Sequence, residues 1–157
     1  MNIETERKFL VLDTSYKAQA VKAYEIRQGY IAHDSGNTVR IRIRDKEGFL
    51  TIKGPSADGI SRKEWEKEIP LQDARELFLL CKPGAIEKNR WIVPAGERYF
   101  EVDEFHGENE GLTVAEIELG SPEETFPKPA WLGKEVTGDR RYYNAQLSRN
   151  PFKNWSE

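Results

Sequence analysis

A chain of 157 residues with 32% charged and 38% hydrophobic side chains is expected to fold as one domain, residues 1–157; its net charge of -3 offers no overall basic field to nucleic acid. One cysteine, Cys81, excludes an internal disulfide and a multi-cysteine zinc site, and two isolated histidines leave any metal to oxygen ligands. No apolar run approaches the length of a bilayer and the N-terminus runs into a charged strand, so a cytoplasmic protein with no membrane partner is expected.

The first predicted element is a strand over residues 3–11. Successive side chains of a strand point to opposite faces, so Glu4, Glu6 and Lys8 share one. Two carboxylates about 7 Å apart along a strand suit a hard divalent cation, and the lysine suits an anion that the cation brings. The same pattern also fits the wet face of an ordinary amphipathic strand. Asp13, Thr14 and Ser15 then offer helix caps, and the spacing of Tyr16, Ala20 and Val21 predicts a short helix to about Ala23.

A strand with Ile26, Gln28 and Tyr30 follows, and the turn Asp34-Ser35-Gly36-Asn37 leads into a strand over 38–44. There Arg40, Arg42 and Arg44 alternate with Val39, Ile41 and Ile43. A second turn, 45–48, precedes a strand over 49–54 that sets Thr51 and Lys53 opposite Leu50 and Ile52. Over 62–69, Arg62, Glu64, Glu66 and Glu68 share a face.

Leu71, Ala74, Leu77, Phe78 and Cys81 recur at three and four residues until Pro83-Gly84, which predicts a helix. Three more strands are expected: 85–93 with Lys88 and Arg90, 98–106 with Glu101 and Asp103, and 112–120 with Glu116 and Glu118. The proline-bearing tail with Trp131 and Leu132 reads as a cover for apolar surface, ending in a short helix with Tyr143 and Leu147.

The fold class is therefore α+β, mainly β, with eight strands, and two arrangements remain open. In a conventional barrel the charged faces look at water. In a tunnel they point inward, and the helices and tail cover the apolar outside. Segregation by sign, with the three arginines together and Glu64, Glu66 and Glu68 together, is costly unless ions of opposite sign complete each group.

These residues resemble the CYTH proteins, also called triphosphate tunnel metalloenzymes. The likeness rests on Glu4-x-Glu6-x-Lys8, Val39-Arg40-Ile41-Arg42, Leu50-Thr51-Ile52-Lys53-Gly54, Arg62 with Glu64 and Glu66, Ile86-Glu87-Lys88-Asn89-Arg90, Val102-Asp103-Glu104-Phe105 and Ala115-Glu116-Ile117-Glu118-Leu119, seven motifs in family order. It implies a closed eight-stranded antiparallel barrel, a tunnel with helices packed outside, that binds a triphosphate with one or two magnesium or manganese ions.

Carried over by position, Lys8, Arg40, Arg42, Lys53, Lys88 and Arg90 resemble the phosphate ligands. Glu4, Glu6, Glu116 and Glu118 resemble the metal carboxylates, with Asp103, Glu64 and Glu66 as further acids near a second ion or the attacking water. Lys8, Glu64, Glu66 and Tyr30 are the candidate catalytic residues. The expected activity is metal-dependent hydrolysis of inorganic triphosphate to pyrophosphate and phosphate by a monomer or homodimer. The alternatives are a class IV-like adenylyl cyclase, a thiamine or nucleoside triphosphatase, and a non-catalytic polyphosphate or nucleotide sensor.

Overall fold

Alternation of charged and apolar side chains gives most strands two incompatible faces, and the backbone resolves the conflict by rolling the sheet into a ring. The computed structural model describes residues 2–33 and 36–155. Eight antiparallel strands form the ring: β1 (Asn2–Val11), β2 (Lys22–Ala32), β3 (Thr38–Arg44), β4 (Glu47–Lys53), β5 (Ser61–Ile69), β6 (Ile86–Ala95), β7 (Arg98–Phe105) and β8 (Thr113–Glu118). Their spatial order is β5-β4-β3-β2-β6-β7-β8-β1, and β1 closes onto β5 from Asn2↔Glu64 to Thr5↔Ser61. A ninth strand, β9 (Leu132–Glu135), joins β1 at Phe9 and Val11, beyond the end of β5.

The apolar faces point out of the ring and are covered there. Phe9, Val93, Phe100, Val102, Ala115 and Ile117 form the main core with Tyr16 of α1 (Tyr16–Gln19) and Trp131 of the tail. Trp131 meets Phe100 edge-on at 5.2 Å and Tyr16 at 5.8 Å, so the tail is clamped from both sides. Trp131→Ala is expected to cost about 3–5 kcal/mol, the usual range for emptying a buried aromatic site. Across the barrel, α2 (Leu71–Phe78) lies on β3 and β4. Its approach needs Gly48, where a Cβ would lie 2.6 Å from that of Ala74.

A second cluster plugs one end of the ring. Ile86, Phe105 and Val114 pack there against Val136, Tyr142 and Leu147, which the tail and α3 (Asn144–Arg149) carry in. The tail is thus both outer cover and end plug.

Several local expectations are corrected. The first helix is one turn: Ala20 is already extended and β2 begins at Lys22, because the backbone from Lys22 pairs with β6 starting at Ile92. Pairing Arg44 with Glu47 shortens the β3–β4 connection to Asp45 and Lys46, with Asp45 in the left-handed region at φ 52. The helix expected to reach Cys81 stops at Phe78, and Leu79, Leu80 and Cys81 continue as turns bonded three residues back. Asp34 and Ser35 of the predicted turn lie outside the described residues. Among the described residues no helix is long and apolar enough to cross a membrane.

Candidate active site

With the apolar faces outward, the charged faces converge on the axis. They surround a cavity of about 90 Å³ lined by Lys8, Arg40, Arg42, Lys53, Arg62, Lys88 and Arg90, seven cations against the four carboxylates Glu4, Glu6, Glu101 and Glu116. A cavity this rich in fixed cations suits a polyanion.

The acids gather on the wall of β1, β5 and β8. Register places Lys8 beside Glu116 and Glu6 beside Glu118. Lys8 Nζ donates to Glu116 at 2.6 Å and to Glu6 at 3.4 Å, while Lys53 Nζ donates to Glu4 at 2.7 Å. Glu4 is nearly buried, yet the Lys53 charge and a hydrogen bond with Glu64 hold it at about 2. Glu116 is buried too, but the Lys8 charge holds it well below the usual carboxylate range, whereas Glu6 and Glu64 lack enough of that relief. Burial and then the Glu116 charge push Glu6 up to about 8, and burial and then Glu4 push Glu64 up to about 7.

The wall of β2, β3, β6 and β7 has the opposite problem. Arg90 grips Asp103 with two bonds of 2.7 and 2.9 Å and reaches Glu101 at 3.0 Å; Lys88 pairs with Asp103 at 2.8 Å. Those acids do not balance the cations. Burial, then the charges of Arg40 and Arg90, lower Arg42 to about 9. Burial, only partly offset by Asp103 and reinforced by Arg90 and Arg42, lowers Lys88 to about 7. Arg40 Nε is buried without a hydrogen-bond partner. Each wall is short of charge of the other sign.

The whole arrangement has a counterpart among known proteins, since the profile of the CYTH domain matches residues 2–144. This chain belongs to the CYTH family. The CYTH chain is 49% identical over 158 residues to the inorganic triphosphatase of Acetivibrio thermocellus, a match that covers 100% of both chains. With the inorganic triphosphatase of Nitrosomonas europaea it shares 35% identity over 150 residues, 92% of this chain and 96% of that one. Its fold is similar to the crystal structure of the inorganic triphosphatase NE1496, with a TM-score of 0.66 and 31% identity over 92% of this chain and 97% of that chain.

Most of the predicted residues of the CYTH site meet at the cavity: Glu4, Glu6, Lys8, Tyr30, Arg40, Arg42, Lys53, Lys88, Arg90 and Glu116 all line it. Four stand back from it. Asp103 is buried behind Arg90 and Lys88, which occupy both its oxygens. Glu64 bonds Glu4 from the side, Glu66 accepts from Thr51 Oγ1 at 2.7 Å and lies 3.5 Å from Arg40, and Glu118 is exposed on β8. Sequence reasoning missed Asn144, whose Oδ1 accepts from Lys88 at 2.8 Å and from Gln28 at 3.0 Å, while Gln28 in turn accepts from Arg42 at 2.9 Å. Alternation with Ile26 and Tyr30 pointed Gln28 inward, whereas no local pattern links Asn144, 56 residues from Lys88, to the tunnel.

Proposed function

We infer that this protein hydrolyses inorganic triphosphate to pyrophosphate and phosphate in a divalent-cation-dependent reaction. The observation that carries this reading is the pairing of two unbalanced walls around one cavity, cationic on one side and carboxylate on the other. A triphosphate supplies the anion, and a hard divalent cation supplies what the carboxylates need.

The donors fit such a cation. They are all carboxylate oxygens, the ligands that magnesium and manganese prefer, and burial together with neighbouring negative charge makes Glu6 and Glu64 retain protons near neutrality. Among the described residues no three acids form a ready cage, because Lys53 and Lys8 occupy Glu4 and Glu116. When those lysines turn to phosphate oxygens, the carboxylates are released. Glu4, Glu6 and Glu116, with Glu118 beside them, would hold one or two magnesium or manganese ions. Bound metal would supply charge neutralisation on the transferred phosphoryl group.

The side chains do the rest. Lys8, Arg40, Arg42, Lys53, Lys88 and Arg90 hold the phosphates from several sides and stabilise charge on the transferred oxygens. Asp103 keeps Arg90 and Lys88 aimed at the cavity. Water attacks the terminal phosphorus directly, since positioning and charge stabilisation suffice for phosphoryl transfer. Glu64, reaching in from beside Glu4, takes the proton of that water while the bond to the bridging oxygen breaks and pyrophosphate leaves. Lys8, Tyr30 and Glu66 place the water. The protein acts in the cytoplasm as a monomer or homodimer.

Phosphate-release kinetics over inorganic triphosphate, ATP, thiamine triphosphate and pyrophosphate, with magnesium or manganese, test the reading. An ester group removes a terminal charge and must fit among the cations, so triphosphate is expected to exceed ATP in kcat/KM by at least about tenfold, the scale of one good ionic contact. Faster ATP or thiamine triphosphate hydrolysis, or a cyclic nucleotide product, would overturn the choice of substrate.

A further inference from the structure

The plugged end of the tunnel does not close completely. Beside the tail lies a second and larger cavity of about 510 Å³, which shares Thr38, Arg62 and Tyr143 with the tunnel wall. Arg140 and Arg149 of the tail complete its charged lining, and no carboxylate is among its described residues. Arg62 is held there by the carbonyls of Gly54 and Gly36, at 2.7 and 3.1 Å, and forms no ion pair with a described carboxylate. Arg140 and Arg149 are exposed and form no ion pair with a described carboxylate; the adjacent Arg141, by contrast, is paired with Asp139 at 3.0 Å.

At the opposite end of the barrel Glu68 is exposed on β5 and Glu118 on β8, and Arg44 is paired with Glu47 and packed on Tyr24 and Phe49.

We propose that the cavity beside the tail is an anion-capture subsite, in which Arg140 and Arg149 hold a short inorganic polyphosphate and deliver it past Tyr143 to the tunnel cations. The proposal rests on the triphosphatase reading for its kinetic readout and on geometry for the subsite itself. Exposed charges at a cavity mouth speed encounter and add modestly to the hold on a bound anion, and salt screens both contributions.

The test compares the wild type with the Arg140→Gln/Arg149→Gln double variant and an Arg141→Gln control over roughly 50 to 300 mM salt, a span in which the screening length shortens markedly. For the double variant, kcat/KM for triphosphate is expected to fall about fivefold to tenfold at low salt, with kcat unchanged within about twofold and a shallower salt dependence. The two curves converge at high salt, and the control follows the wild type. Unchanged kcat/KM and salt slope would overturn the proposal, as would a parallel fall in kcat that marks a structural role for the tail. Calorimetric titration with triphosphate in chelator separates this proposal from the functional one: weaker binding by the double variant supports the subsite even if the wild type fails to turn triphosphate over, and equal binding contradicts it.

Discussion

The two walls of the tunnel solve the burial of charge in different ways. On the wall of β2, β3, β6 and β7 one acid serves two cations: Asp103 holds both Arg90 and Lys88, and Arg42 is left with a neutral partner, Gln28. On the wall of β1, β5 and β8 two lysines serve three acids: Lys53, from β4, sits on Glu4 and Lys8 on Glu116, and Lys8 reaches Glu6 only at 3.4 Å. Both walls stop short of neutrality, in opposite senses. A barrel selected for stability alone would complete these pairs, since unbalanced buried charge is costly; the incompleteness marks where a ligand of each sign belongs.

The carboxylate wall gives the largest expected effect. Glu116→Gln removes the partner of Lys8 and a central acid, and is expected to lower kcat about a thousandfold, a loss of several kcal/mol of transition-state stabilisation, with the circular dichroism spectrum intact. Chelation of the wild type is expected to abolish turnover. Normal rates for the variant, or undiminished turnover after chelation, would break the comparison at its acidic side.

Next comes the basic wall. Arg42→Met removes an unbalanced cation, so kcat/KM for triphosphate is expected to fall about a hundredfold, near 2.7 kcal/mol, while Tm stays equal or rises. Arg44→Met, on the same strand face but packed on Tyr24 at 4.5 Å and paired with Glu47, is expected to change kcat/KM by less than about twofold. Equal losses from the two would mean that depth in the tunnel does not set their roles.

A smaller effect is the pH dependence of the metal-free fold. Glu6 and Glu64 keep protons in the folded protein up to about pH 8 and 7, whereas in the unfolded chain they lose them near the ordinary glutamate value of about 4.3. The folded state then binds more protons than the unfolded state, so stability falls as pH rises from about 5 to 7. Lys88, lowered to about 7, acts in the opposite sense only above that window. Thermal melts in chelator at three pH values across it are expected to show a falling Tm; a rising Tm would contradict the assignment.

Much of this was legible in the strands themselves. Alternation in β3 and β1 exposed the arginine and glutamate faces because the strand period is strictly two, and the segregation of sign hinted at an inward face. Closure into a barrel followed from the resemblance to the CYTH proteins, but its closing pair, β1 with β5, was not legible, because 56 residues separate Thr5 from Ser61 and periodicity carries no partner information. The tail was read as a cover, which Trp131 bears out, but its strand β9 and the inward reach of Asn144 depend on tertiary contacts alone. Asp103 was placed on the inner face, while its capture by Arg90 and Lys88 required the register of β6 with β7.

The central claim, that the two walls await ions of opposite sign, predicts proton movements of opposite sign. Calorimetry at pH 7 in buffers of different ionisation enthalpy counts them. Divalent cation added alone is expected to release protons, because it displaces those held by Glu6 and Glu64; triphosphate added alone in chelator, with the ligand's own proton loss subtracted through a Lys88→Met variant, is expected to take protons up, because it raises Lys88 from about 7. Proton movement of the same sign for both ligands, or none for either, would contradict the account.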